Sequence, residues 1–253
     1  MLKNTLISII TPTYNSSRFV LETYESILSQ SLDCWEWVVT DDFSHDNTWD
    51  ILLSISEKDS RVKIFRNPVN SGAAVARNNS LANAKGDFIA FLDSDDLWER
   101  DKLELQVKFM IEKNIDFTFT SFTIISEAGV HTNKNIDFNT RSLSVGYNDM
   151  LLKKATLGCS TVMLKRHGFD KIEMPLLRTG QDYALWLKLL KNGKSAYLLD
   201  RSLTKYRIVN GSISRNKFKK AMRQWQIYRE VEQIDFIKSS WYFLNYAWRA
   251  IVR

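Results

Sequence analysis

Within the first hundred residues, four short apolar runs, LISIITP, WEWVVTD, VKIFRN and DFIAFLD, alternate with three stretches whose apolar residues recur at helical spacing. The runs are rich in Ile, Val, Phe and Trp, side chains that suit strands buried on both faces of a sheet. The intervening stretches, residues 17–30, 47–58 and 73–84, have the length of ordinary crossover helices. This alternation predicts β-α-β units and an α/β fold with a mostly parallel central sheet. Ligands of such sheets bind beyond the carboxyl ends of the strands. Polar residues collect at those ends: Thr11, Pro12, Thr13, Tyr14 and Asn15; Asp41 and Asp42; Arg66 and Asn67; Asp93, Ser94, Asp95 and Asp96. Four polar strand ends along one edge predict a site there.

After Trp98 the pattern changes. Residues 102–112 read as a helix, and DFTFTSFTII alternates at period two like a half-solvated strand. Residues 127–148 are polar and read as a loop or hairpin wall. LGCSTVML reads as a strand, 181–192 as a strong helix, and 196–199 and 203–209 as further strand-like segments. No internal repeat or Gly/Ser linker interrupts the chain. Its two cysteines, Cys34 and Cys159, lack C-x-x-C spacing, which points to a reducing compartment and away from a structural zinc site. The N-terminal apolar run reads as a first strand and not a signal peptide. No run reaches the roughly 18 apolar residues that span a bilayer, so a cytoplasmic location is expected. The absence of a G-x-G-x-x-G after the first strand argues against a Rossmann oxidoreductase.

The stretch IAFLDSDDLW packs Asp93, Asp95 and Asp96 into four positions directly after an apolar run. Crowded carboxylates raise one another's pKa unless a cation neutralises them. Either the cluster is a turn capping a short helix at 97–100, or a divalent cation belongs there. An EF-hand fails: Asp93, Asp95 and Glu104 fit its first, third and twelfth positions, but Trp98 replaces the turn glycine and Leu97 a ligand. His45, His131 and His167 show no ligand spacing.

SIITPTYN, VVTDDFS, NSGAAVARNNSLANAKGDFIAFLDSDD and GQDYALWLKLL stand in the order and at about the spacing of family 2 glycosyltransferases, which the chain resembles over residues 5–210. Through QDY followed by YRIVNGSIS it is most similar to bacterial enzymes of O-antigen and other surface polysaccharides. The resemblance implies a GT-A fold with a C-terminal helical extension. It divides the chain into a catalytic domain, 1–212, with a nucleotide-binding half (1–98) and an acceptor half (99–212), and the extension, 213–253.

The resemblance also implies a chemistry. A nucleotide-sugar donor leaves as a diphosphate whose developing charge must be stabilised, and Mn²⁺ or Mg²⁺ held by carboxylates does this. Asp95 is implied as the metal ligand together with Asp93, which also faces the donor ribose, with Asp96 as a supporting acid. Ser94 shares that donor-side turn. Asp41 and Asp42 are implied at the base, although Phe43 stands where the family has glycine. Thr11, Pro12, Tyr14 and Asn15 form the loop that holds the nucleotide. Arg77, in ARNNSL where the family commonly reads R-N-x-G, is implied at phosphate oxygens. Asp182, with Gln181 in place of the usual Glu, is implied as the base that takes the acceptor hydroxyl proton in an inverting displacement. Arg207 is implied in a mobile loop that closes over the diphosphate, with Gly211 and neighbouring serines permitting the movement.

The implied reaction is sugar transfer from a UDP-sugar, with UDP-galactose and a β linkage expected, to a polyprenyl-diphosphate-linked glycan. UDP-GlcNAc or dTDP-rhamnose are alternative donors, and a catalytically silent nucleotide-sugar-binding scaffold is the alternative of another class. The net charge of +6 resides in the tail, where residues 201–253 hold 12 Lys and Arg against 3 Asp and Glu. There Ile237, Trp241, Leu244, Trp248 and Ile251 recur at steps of four and three, with Tyr242, Tyr246, Arg249 and Arg253 at the rims. Basic residues beside Trp and Tyr suit a helix lying on the inner membrane face. Packing on the catalytic domain or in a homodimer is the other use of that face. No nucleic-acid-binding motif accompanies the charge.

Overall fold

The computed structural model describes residues 5–136, 144–209 and 217–252. The four apolar runs form strands β1 (Ile7–Thr13), β2 (Trp35–Asp41), β3 (Val62–Arg66) and β4 (Phe88–Phe91), all parallel in the order β3-β2-β1-β4. Helices α1 (Val20–Leu28), α2 (Thr48–Lys58) and α3 (Ala73–Asn83) are the crossovers. Every residue of β1 and β2 is buried. Ile7, Ile9, Trp37 and Val39 belong to one core cluster while Ile10 and Val38 belong to another, so successive side chains serve opposite faces of the sheet. Gly86, just before β4, passes so close to β1 that an added Cβ would lie 2.5 Å from the Ser8 backbone nitrogen.

The second half is mixed. It comprises β5 (Leu97–Trp98), α4 (Lys102–Lys113), β6 (Phe117–Ile125), β7 (His131–Ile136), β8 (Ser144–Gly146), α5 (Tyr147–Leu151), β9 (Met163–Lys165), α6 (Gln181–Leu190) and β10 (Ser195–Arg207). The sheet continues β4-β9-β6-β10-β5, with β7 on β6 and β8 on β10. β9 runs antiparallel to both β4 and β6, while β10 is parallel to β6. Three local expectations change. LGCSTVML holds a 3-10 turn, Cys159–Thr161, before only three residues of strand. The two segments expected at 196–209 are one strand whose register shifts at Ser202. Within 127–148 the described residues form β7, β8 and the start of α5; backbone pairing at a sheet margin needs no apolar alternation, which is why the polar sequence conceals it. Residues 137–143 lie outside the described residues.

The tail folds back onto the catalytic part. Helix α7 (Lys217–Gln226), a π-helical turn (Ile227–Val231) and α8 (Phe236–Val252) follow β10. Ile227 and Tyr228 are buried in the same core cluster as Ala184, Leu185 and Trp186 of α6, so the core is continuous across position 212. Tyr228 Oη donates to the Leu151 carbonyl at 2.9 Å, and Tyr147 Oη to Glu232 at 2.6 Å. Among the described residues no helix is long and apolar enough to cross a membrane.

Candidate functional site

The acidic turn after β4 is held by three distant segments. Ser160, in the turn before β9, accepts the Asp93 N–H at 3.0 Å and donates its hydroxyl to Asp96 Oδ2 at 2.5 Å. Thr23 of α1 donates to the Ser94 and Asp96 carbonyls, both at 3.0 Å. Arg207, the last residue of β10, gives its backbone N–H to Asp96 Oδ1 at 2.9 Å and its Nε to the Asp95 carbonyl at 2.7 Å. Asp96 is buried with both oxygens spent, so its work is to staple the turn. Asp93 and Asp95 are half-buried and lie on either side of Ser94. Burial, then the Asp93 charge, push the Asp95 carboxyl up to about 6.

Behind this turn stands Arg77 of α3, only 5% exposed, whose Nη2 pairs with Asp93 Oδ1. Burial works against its charge, but Asp93, the Cys159 sulfur and Asp182 outweigh it and raise its pKa. Its Nε and Nη1 are buried without a protein acceptor. A buried guanidinium beside two carboxylates thus keeps two donors that no described protein group accepts. The structure thus brings Asp93, Asp95, Arg77 and Asp182 together, although they lie on different elements. Asp182 sits in the first turn of α6, following Gly180, whose φ of +69° starts the helix in a left-handed conformation.

Several expected nucleotide contacts face inward instead. Thr11 is fully buried and accepts the Trp37 Nε1–H at 2.8 Å, and Pro12 is buried beside it in β1. Ser94 is buried with its hydroxyl paired to Ser16 at 2.8 Å. Asp41 is bound by the Ser44 N–H and hydroxyl and by Arg66 at 3.1 Å. Asp42 accepts the Ser71 N–H at 2.9 Å, the Gly72 N–H at 2.6 Å and Asn67 Nδ2 at 2.7 Å, anchoring the start of α3. Both acids therefore organise their own loops, because backbone N–H groups left unsatisfied at such turns need acceptors. Tyr14 and Asn15 do reach the surface: Asn15 ties its loop to His45, and the Tyr14 ring, 44% exposed, stands 6.5 Å from the His45 ring. Arg207 departs furthest from expectation. It ends a strand, not a mobile loop, and its buried guanidinium binds Glu22 at 2.6 Å and the Glu127 carbonyl at 2.9 Å. Gly211 and Ser212, expected to loosen that loop, lie outside the described residues.

Sequence reasoning missed Ser160, Arg178 and the contacts of Gly180. Nothing in GCST marks Ser160, since its role depends on β9 entering the sheet beside β4. Exposed Arg178 stands near the start of α3, where a Cβ on Gly72 would lie 3.8 Å from its Nη1. Among the described residues no group of three or more His, Cys, Asp and Glu side chains makes a self-sufficient cation site. A cation that uses one or two carboxylates and completes its shell with phosphate and water needs no such cluster. Asp95 and Asp93 fit that case, and Asp96 does not. A hollow of about 750 Å³ lined by Phe109, Asp116, Phe169 and Tyr197 opens at the opposite edge of the sheet and holds none of these groups.

Comparison with known proteins bears on this geometry. The model of Glycosyl transferase family 2 matches residues 8–172. TuaG of Bacillus subtilis (strain 168), a glycosyltransferase named for teichuronic acid biosynthesis, is 44% identical over 246 residues, covering 97% of this chain and 96% of its own. The Escherichia coli UDP-Glc:alpha-D-GlcNAc-diphosphoundecaprenol beta-1,3-glucosyltransferase WfgD is 39% identical, over 95% of this chain and 92% of its own. In fold the chain is similar to S. aureus TarS 1–349 in complex with UDP-GlcNAc, with a TM-score of 0.71 at 22% identity over 88% of this chain and 66% of that one. It is also similar to the mannosyltransferase PcManGT from Pyrobaculum calidifontis in complex with GDP-Man and Mn²⁺, with a TM-score of 0.69 at 19% identity, over 90% and 64% of the two chains.

Proposed function

The chain belongs to glycosyl transferase family 2, and from that footing we propose that it moves a hexose from a UDP-sugar, with inversion, to a glycan carried on a polyprenyl diphosphate. The observation that carries this reading is the buried Arg77, paired to Asp93, in the field of Asp182 and with two donors unused. Arg77 fits an incoming diphosphate, while Asp182 fits the opposite task of accepting a proton. As the acceptor oxygen bonds to the anomeric carbon, the bond to the β-phosphate breaks, the nucleotide leaves with the electron pair, and the acceptor proton passes to the Asp182 carboxylate. Asp95 and Asp93 would hold Mn²⁺ or Mg²⁺, which when bound neutralises charge on the departing diphosphate. Tyr14 fits the base or ribose.

WfgD, named for UDP-Glc and a β-1,3 product, supports UDP-glucose ahead of the UDP-galactose expected from sequence. Its name and that of WfaP, 38% identical over 229 residues, also support a diphosphoundecaprenol-linked acceptor. Such an acceptor lies in a membrane, which supports peripheral attachment to the inner face through the tail. Calorimetric titration with UDP-sugars, with and without Mn²⁺, tests the donor site. One UDP-sugar should bind in a metal-dependent way and lose that dependence in Asp95→Ala. Asp182→Asn should bind the donor normally yet turn over roughly 10²–10⁴-fold more slowly. Glycan assembly in cells left unchanged by both variants would favour the scaffold alternative.

A further inference from the structure

The α7–α8 hairpin carries two features that the catalytic centre does not use. The first is the outer face of α8, where Ile237, Trp241, Leu244 and Trp248 are 61–80% exposed. The opposite face is satisfied: Tyr242 and Phe243 pack on the main core, and Trp225 of α7 meets Phe243 edge-on at 5.6 Å. An apolar stripe containing two tryptophans, opposite a packed face, has the build of an interfacial helix. The side chain of Ile251, and all of Arg253, lie outside the described residues. The second feature is charge. Residues 201–229 contain nine Lys and Arg and no acid.

One of these cations, Arg223, reaches the segment that begins α6. Lys219 and Lys220 are exposed on α7, while Arg223 turns inward and donates from Nε to Thr179 Oγ1 at 3.1 Å. A Cβ on Gly180 would lie 3.4 Å from Arg223 Cγ and 3.1 Å from Ile227 Cδ1, so α7 and the π turn press directly on the residue that begins α6. Asp182 follows two positions later. Lys219 and Lys220 lie one helical turn before Arg223, so the contact of Arg223 with Thr179 sets them beside the segment that bears Asp182.

We propose that the hairpin is the docking surface for the lipid diphosphate of the acceptor. The α8 stripe beds in the bilayer interface, Lys219 and Lys220 take the diphosphate, and Arg223 holds this surface against Thr179 and Gly180. This rests on the transferase reading above. Where the sugar to be extended is joined directly to the diphosphate, those phosphates must lie within about one sugar ring of the base. Charge complementarity then favours a lipid diphosphate over a neutral surface or a second copy of this strongly basic face.

Co-sedimentation of the full chain with vesicles tests the proposal. One set contains phosphatidylcholine with phosphatidylglycerol; the other replaces the phosphatidylglycerol with polyprenyl diphosphate at equal charge. The diphosphate vesicles should bind roughly tenfold more tightly. Lys219→Gln/Lys220→Gln, altered at exposed positions, should erase that difference, and Trp241→Ala/Trp248→Ala should weaken binding to both sets. Equal binding to both sets marks an ordinary membrane anchor and overturns the proposal. A preference that survives the lysine changes, or a stripe buried in a stable dimer by light scattering, overturns it too. UDP-sugar titration of the same preparations separates the two readings, since loss of donor binding alone would overturn the transferase assignment and leave the vesicle result standing.

Discussion

Phe43 has a φ of +66°, a conformation that suits glycine and crowds the Cβ of other residues. Its neighbours explain what the ring gains there. Arg66, already tied to Asp41, lies with its guanidinium 5.5 Å from the ring centroid, and the His45 ring stands edge-on at 5.4 Å. Phe43 is 37% exposed, so with Tyr14 and His45 it makes an aromatic ledge above the ends of β1 and β2. Backbone strain and ring contacts can be separated experimentally. Phe43→Ala should lose the contacts and keep the strain, whereas Phe43→Gly loses both, so the glycine variant should be the more stable by about 1 kcal/mol in urea unfolding. An alanine variant equal to the glycine variant would show that the position carries no strain. The motif around this residue lies at the carboxyl end of β2, as the sequence pattern predicts. It did not reveal that Asp41 and Asp42 turn into their own loops, because spacing sets where a residue lies but not which donors surround its side chain.

Helix α4 contains a buried group that its sequence gave no reason to suspect. Lys102 is fully buried, donates to Gln106 Oε1 at 2.7 Å and lies 4.3 Å from the Trp98 ring centroid. Burial pushes its pKa down to about 7, below the ordinary lysine value near 10.5. The folded protein therefore takes up this proton less readily than the unfolded chain. Stability from this group is greatest above pH ~10, where lysine is neutral in both states; it falls as the pH drops toward 7 and levels off below. Lys102→Met should remove that slope and stabilise the protein at pH 6 by up to about 5 kcal/mol, less the cost of the lost Gln106 hydrogen bond. Chemical denaturation of both proteins at pH 6, 7.5 and 9 checks it, and parallel curves would refute it. Strands and helices of the first hundred residues were legible because their periodicities are strong. The two-residue β5 and the π turn were not, and the strand read over LGCSTVML kept only its last residues as β9, since short elements are created by the strands they pair with and leave little periodicity of their own.

At the scale of the whole molecule, the tail and the rest of the chain share one core. Ile227 and Tyr228 share a core with α6, and Glu232 receives both Tyr147 and Lys191, the latter at 2.7 Å. Ile227→Ala should lower stability by roughly 2–4 kcal/mol, and the tail should melt with the domain in a single calorimetric transition. A separate low-temperature transition for the tail would contradict that unity. The charge asymmetry and aromatic stripe of the tail were legible in the sequence, but its seat against Gly180 was not, because that contact joins segments far apart in the chain.

The clamp on the acidic turn has a consequence in time. Asp93, Asp95 and Asp96 leave the ribosome early, yet Ser160 and Arg207, which hold them, emerge much later, Arg207 lying 111 residues beyond Asp96. At about 5–20 residues per second that interval is on the order of ten seconds. Until it has passed, the nascent chain carries the acids without the grip that shapes them, so the turn takes its form only when more than four fifths of the chain has been made.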